Sequence, residues 1–215
     1  DASELTLKTN GSLTIEYHGG AKSDTITGGV ANETFFHSLG GDSIEGGSTG
    51  TDTFSVADST VTESGSANAS TGVVVNLGGT DVSGTSVYSG IGQFTSGDVA
   101  VASGSVGYAY AANLATNSAI TTSIGGIEDV IAGDGRDYIV GTGGDNSIQG
   151  KAGADYIAGG DGDDTITGGN GADNLVGGNG TDTYVFEAVE VYNTAVTTLG
   201  LNDEGGDVIV FGSSD

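Results

Sequence analysis

A chain of 215 residues with 42 glycines and no proline, cysteine, methionine or tryptophan carries nearly three times the ordinary glycine share of about 7%. Acidic residues outnumber Lys and Arg by 29 to 4, a formal charge of −25; this excludes nucleic acid and anionic membranes as partners held through a basic surface and makes a cation the expected counter-charge. No apolar run approaches the roughly 20 residues that span a bilayer, so no membrane insertion is expected, and without cysteine there is no disulfide framework or thiolate metal site. The sequence starts at Asp1 with no basic segment leading into an apolar one, so an N-terminal export signal is expected to be absent or already removed.

Residues 1–18 read as a hairpin, because Leu5 and Leu7 alternate with polar residues, Asn10-Gly11 supplies a tight turn, and Leu13, Ile15 and Tyr17 alternate again. Residues 19–55 hold a short, imperfect array in which Asp24, Glu33, Asp42 and Asp52 stand two residues before Ile26, Phe35, Ile44 and Phe54, at spacings of 9, 9 and 10. Lys22 and Ala31 occupy places that fuller repeats give to glycine. From 56 to 122 the repeat disappears, and short β-prone runs such as GVVVNL, SVYSGI and DVAVAS, separated by Ser, Thr, Gly and Ala, read as a β insertion. Residues 123–185 carry the main array, and in 186–215 the pairs Val189/Val191 and Val208/Val210 suggest the strands of a C-terminal cap.

The main array sets the architecture. From Ala132 to Val185 the sequence is AGDGRDYIV, GTGGDNSIQ, GKAGADYIA, GGDGDDTIT, GGNGADNLV and GGNGTDTYV, six tandem copies of nine residues with no insertion. Each has Gly at position four, Asp or Asn at position six and a large apolar residue at position eight, namely Ile139, Ile148, Ile157, Ile166, Leu175 and Tyr184. Glycine at four suits a turn that needs positive φ, and the last three residues alternate out, in, out as a short strand does. One copy is a loop plus a strand, and the fold class is all-β.

This Gly-Gly-x-Gly-x-Asp-x-apolar-x pattern resembles the RTX calcium-binding repeat family. The resemblance implies a parallel β-roll with two nonapeptides per turn, so that copies 18 residues apart lie side by side with calcium between their loops. It then pairs Asp137 with Asp155 and Asp155 with Asp173 along one edge, and Asn146 with Asp164 and Asp164 with Asp182 along the other. Carbonyls of the loop glycines Gly144, Gly153, Gly160, Gly162, Gly169, Gly171, Gly178 and Gly180 complete the oxygen set that a hard dication such as calcium requires. Asn146 brings a neutral oxygen and predicts a weaker site, with Glu128, one copy upstream, as a further weak partner. In the shorter array the same logic pairs Asp24 with Asp42 and Glu33 with Asp52, and the N-terminal hairpin becomes a cover for the open end of the roll. Asp207 in DVIVF is a peripheral ligand candidate. The bland alternative, aspartates that only cap turns, does not account for carboxylates stacked at 18-residue intervals, which repel unless a cation intervenes.

Catalytic signatures are missing. His18 and His37 form no HExxH, GGSTG at 46–50 reads as a repeat loop rather than a nucleophile elbow, and no lysine follows a glycine-rich phosphate loop. The acid pair Asp163-Asp164 reads as part of a metal loop rather than a glycosidase pair. Outward at position seven, Tyr138 and Tyr156 form a row, matched by Thr165 and Thr183 on the other face, as strand-stabilising pairs or as a contact for a sugar or a subunit. The expectation is a non-catalytic calcium-binding structural module, extracellular or at the cell surface, resembling RTX proteins exported unfolded by type I secretion. Folding on extracellular calcium and self-assembly into a surface layer, filament or adhesin are the expected roles; the alternative is an accessory module of a secreted enzyme or lectin that binds polysaccharide.

Overall fold

A computed structural model describes residues 4–9, 13–18, 23–36, 42–56, 73–78, 105–108, 122–186, 198–200 and 208–211. His37, Val189, Val191, Asp207 and the runs SVYSGI and DVAVAS lie outside them. The strands are β1 (Glu4–Thr9), β2 (Leu13–His18), β3 (Thr25–Thr27), β4 (Glu33–Phe36), β5 (Ser43–Glu45), β6 (Thr53–Ser55), β7 (Val73–Asn76), β8 (Ser105–Tyr108), β9 (Thr122–Gly125) and β10 (Asp129–Ile131). They continue with β11 (Tyr138–Val140), β12 (Ser147–Gln149), β13 (Ala152–Gly153), β14 (Tyr156–Asp161), β15 (Thr165–Thr167), β16 (Asn170–Gly171), β17 (Asn174–Asn179), β18 (Thr183–Phe186), β19 (Thr198–Gly200) and β20 (Val208–Phe211). No helix occurs among the described residues.

Two nine-stranded sheets face each other, ordered β1-β2-β4-β6-β10-β12-β15-β18-β20 and β19-β17-β14-β11-β7-β8-β9-β5-β3. Successive nonapeptides alternate between the sheets, so each strand pairs in parallel with the one two copies on. Ile139 lies opposite Ile157 and Ile157 opposite Leu175 in one sheet, while Ile148, Ile166 and Tyr184 align in the other. This is the 18-residue rule of a parallel β-roll, and the fold is that roll.

The strand alternation explains the core. Position eight points inward and is fully buried in all six copies, while positions seven and nine flank it at intermediate or full exposure. A buried Ile or Leu stabilises by about 1.5–3 kcal/mol, and one such residue per nonapeptide cannot by itself order nine residues. The loops must contribute.

The N-terminal strands pair as the expected antiparallel hairpin, with Leu5 opposite Tyr17 and Leu7 opposite Ile15, and β2 then pairs in parallel with β4. Tyr17 stacks on Phe35 across that junction with ring centroids 4.9 Å apart. The two repeat arrays form one continuous stack, because Phe54 pairs with Val130 and Ile44 with Ile124. From the intervening stretch, β7 and β8 enter the second sheet between β9 and β11, with β8 antiparallel to both of its neighbours and Val75 buried opposite Ile139. At the C-terminal end β19 and β20 extend the two sheets in parallel.

Candidate metal centre

Loop geometry follows from the first six residues of each copy. The chain leaves a strand at position one, turns, and re-enters the opposite sheet at position seven with the position-six side chain directed inward. Asp137, Asn146, Asp155, Asp164, Asp173 and Asp182 are accordingly buried. Along one edge the N–H of Asp137 donates to Asp155 Oδ1 at 2.8 Å and that of Asp155 to Asp173 Oδ1 at 2.9 Å. Along the other, the N–H of Asn146 donates to Asp164 Oδ1 at 2.8 Å and that of Asp164 to Asp182 Oδ1 at 2.9 Å. The pairs expected from the repeat are therefore neighbours, linked by one hydrogen bond per step.

Each such bond uses one carboxylate oxygen. The second oxygen of Asp155 and of Asp164 is buried with no hydrogen-bond partner, an arrangement that costs free energy unless something else binds it. Burial and neighbouring acids weigh on the charges. Burial, then the charge of Asp137, pushes Asp155 up to about 9. Burial raises Asp164 to about 7, with Asp182, Asp145 and Asp163 adding to the rise against the N–H bond from Asn146. Asp173 is raised by burial against the opposing N–H bond from Asp155.

Glycine shapes the cradle around these oxygens. A Cβ on Gly150 would stand 2.6 Å from Asp155 Oδ2, and one on Gly168 the same distance from Asp173 Oδ2, so position one of these copies admits no side chain, whereas copy one carries a buried Ala132 there. At positions two and four of the last three copies φ is positive, for example 125° at Gly160 and 111° at Gly162. The carbonyl oxygens of Gly153, Gly160 and Gly162 lie against Gly171, Gly178 and Gly180 one turn on, where a Cβ would collide with them. Among the described residues no three acidic or imidazole side chains converge as a metal group, so a cation at any step must combine carboxylates with such carbonyls. An all-oxygen set of this kind fits calcium, whereas magnesium demands tighter octahedral geometry.

Lys151 occupies position two with φ of 76°, where Gly169 and Gly178 have 101° and 116°. An L-residue there is strained by about 1–2 kcal/mol. Lys151→Gly is therefore expected to raise the thermal midpoint of the calcium-loaded chain; a lower midpoint would contradict the strain.

The shorter array is built alike. Asp24 N–H donates to Asp42 Oδ1 at 2.9 Å and Glu33 N–H to Asp52 Oδ1 at 2.8 Å, while Glu33 Oε2 is buried without a hydrogen-bond partner. Glu128 stands in the same column, next to Asn146: its carboxylate accepts the N–H of Asp52 at 2.9 Å across 76 residues, and its main-chain carbonyl accepts Asn146 Nδ2 at 2.7 Å. The available signal was that Glu128 precedes Val130 by the same two residues that separate Asp52 from Phe54. Burial leads the causes that raise Asp52 to about 6, with Glu33 and Glu128 adding charge repulsion.

Outside the columns, Tyr138 and Tyr156 stack with centroids 4.6 Å apart and planes 5° from parallel. One face of each ring is thereby turned to the other ring, a cross-strand pair that supports β11 against β14.

Parallel strands, one buried apolar residue per nonapeptide and edge columns of carboxylates define a parallel β-roll with oxygen-rich loops. The family model described as the RTX calcium-binding nonapeptide repeat matches residues 17–44, 131–166 and 149–184. The chain carries RTX calcium-binding repeats in two blocks, and these point to a calcium-binding module. No curated protein matches the chain.

Proposed function

We propose that the chain is a non-catalytic structural module of a secreted or cell-surface bacterial protein that folds on meeting extracellular calcium and then self-assembles into a surface layer, filament or adhesin. The observation that carries the calcium part is the pair of buried carboxylate oxygens, Asp155 Oδ2 and Asp164 Oδ2, that have no hydrogen-bond partner. In the main array Asp137, Asp155, Asp173, Asp164 and Asp182 would hold calcium with the carbonyls of Gly153, Gly160, Gly162, Gly169, Gly171, Gly178 and Gly180. In the shorter array the ligands would be Asp24 with Asp42 and Glu33 with Asp52. Bound calcium supplies positive charge at the columns of a chain whose net charge is −25, and its binding energy becomes folding energy.

Export and assembly follow from the same physics. A chain of high negative charge and modest apolar content stays unfolded where calcium is scarce, the state suited to passage through a type I secretion channel, and sites of extracellular modules fill at roughly 0.1–1 mM calcium. The test is far-UV circular dichroism with light scattering on chelated protein during calcium titration, with magnesium as control. Cooperative gain of β-structure with calcium alone, joined by scattering from ordered particles, is the expected result. Unchanged structure under full chelation would remove the calcium mechanism. Folding without particles, together with saturable binding of a polysaccharide, would favour an accessory module of a secreted enzyme or lectin.

A further inference from the structure

The second copy of the main array, residues 141–149, departs from its successors at two positions. Thr142 stands at position two, where copies four to six have Gly160, Gly169 and Gly178, and Asn146 stands at position six among aspartates. The fold brings these two departures into contact. The Thr142 N–H donates to Asn146 Oδ1 at 2.7 Å, and Asn146 Nδ2 donates to Thr142 Oγ1 at 2.9 Å. The same hydroxyl accepts the N–H of Gly144 at 3.1 Å and lies 3.2 Å from the Gly144 carbonyl and 3.1 Å from Asn146 Oδ1. It thus sits among the oxygens that the repeat pattern assigns to a cation.

Three further features mark this loop; the first two are shared with copy one, where the Gly133 N–H donates to Asp137 Oδ2 and neither Gly133 nor Gly135 has positive φ, and the third belongs to copy two. Neither Asn146 side-chain atom is left without a partner, in contrast to the second oxygen of Asp155 and of Asp164. Positive φ recurs at positions two and four of copies three to six, from Lys151 and Gly153 to Gly178 and Gly180, but neither Thr142 nor Gly144 adopts it. The polarity of the inter-turn bond is also inverted. Between the other position-six residues of this edge the upstream N–H donates to the downstream carboxylate, as from Asp52 to Glu128 and from Asn146 to Asp164, whereas at the step from Glu128 to Asn146 the downstream Nδ2 donates to the Glu128 carbonyl at 2.7 Å.

We propose that Thr142 and Asn146 form a polar plug that closes the loop at 141–146 to calcium, so that hydrogen bonds hold this copy in the stack and neither Gly144 nor Asn146 is a ligand. The physical reason is that an amide places a donor where a carboxylate would place an acceptor, and the hydroxyl accepts two N–H groups and gives its single proton to either the Gly144 carbonyl or Asn146 Oδ1, all without net charge. Resting on the calcium reading above, the proposal makes copy two a metal-free step between the Glu33–Asp52–Glu128 run and the Asp164–Asp182 run of the same edge.

The test counts bound calcium on the full chain by flow dialysis at saturation, with far-UV circular dichroism as the fold control. The double variant Thr142→Gly/Asn146→Asp is expected to bind one ion more than wild type. Asn146→Ala is expected to keep the wild-type count while lowering the thermal midpoint, a readout that does not depend on the double variant folding. An unchanged count in a folded double variant, or the loss of one ion in Asn146→Ala, overturns the plug while leaving the calcium reading intact. A wild-type chain that takes up no calcium overturns both.

Discussion

Asp164→Ala is expected to raise the calcium concentration at the folding midpoint severalfold, and by more than Asp24→Ala. Asp164 is buried within its column, where its Oδ1 accepts the Asn146 N–H and its own N–H reaches Asp182 Oδ1. Truncation leaves the Asn146 N–H without that acceptor inside the fold, which costs about 1–3 kcal/mol, and it also removes the free oxygen Oδ2 from the cradle beside Gly159. Since 1.4 kcal/mol corresponds to a factor of ten in an equilibrium constant, and that factor is shared among the ions taken up on folding, the midpoint moves up severalfold. Asp24 is half-buried on β3's approach at the end of the second sheet, and the bond to Asp42 Oδ1 is made by its main-chain N–H, which alanine retains. Equal midpoints for the two variants in a calcium titration would overturn this ranking of the sites.

Acidification is expected to do part of the work of calcium. Asp155, Asp164 and Asp52 are raised to about 9, 7 and 6, first by burial and then by neighbouring acids, whereas the unfolded chain ionises them near the ordinary 3.8. Between that value and the raised ones the folded chain holds protons that the unfolded chain has released. Stability without calcium therefore falls as pH rises through this window, and it recovers as pH is lowered. Chelated protein is expected to gain β-structure by circular dichroism between pH 8 and pH 5, and calcium uptake near pH 7 in weak buffer is expected to release protons. If the chelated chain loses β-structure on acidification, buried acids are not what opposes folding of the metal-free roll.

The repeat itself was legible because everything it specifies is local. A strand's period of two places Ile157 and Leu175 inward from their position in the copy alone, and glycine at positions one and four marks turns that no neighbouring chain has to explain. Repetition then converts one local pattern into a stack, and the 18-residue pairing implied by the family resemblance reappears in the bonds from Asp137 to Asp155 and from Asp155 to Asp173.

Three features were decided only in three dimensions. Joining the two arrays depends on Phe54 meeting Val130 and Asp52 meeting Glu128; periodicity sets which face a residue shows but not which strand it meets once the period is interrupted. The insertion of β7 and β8 into the second sheet rests on antiparallel pairing, and a run such as VVVN advertises that it is a strand without naming its neighbour. Last, the sequence marks Asn146 only as a weaker ligand and does not single out Thr142 as its partner. Their mutual bonds exist because the loop backbone holds the hydroxyl and the amide within 2.9 Å of each other, a distance set by backbone dihedrals and tertiary stacking rather than by residue spacing.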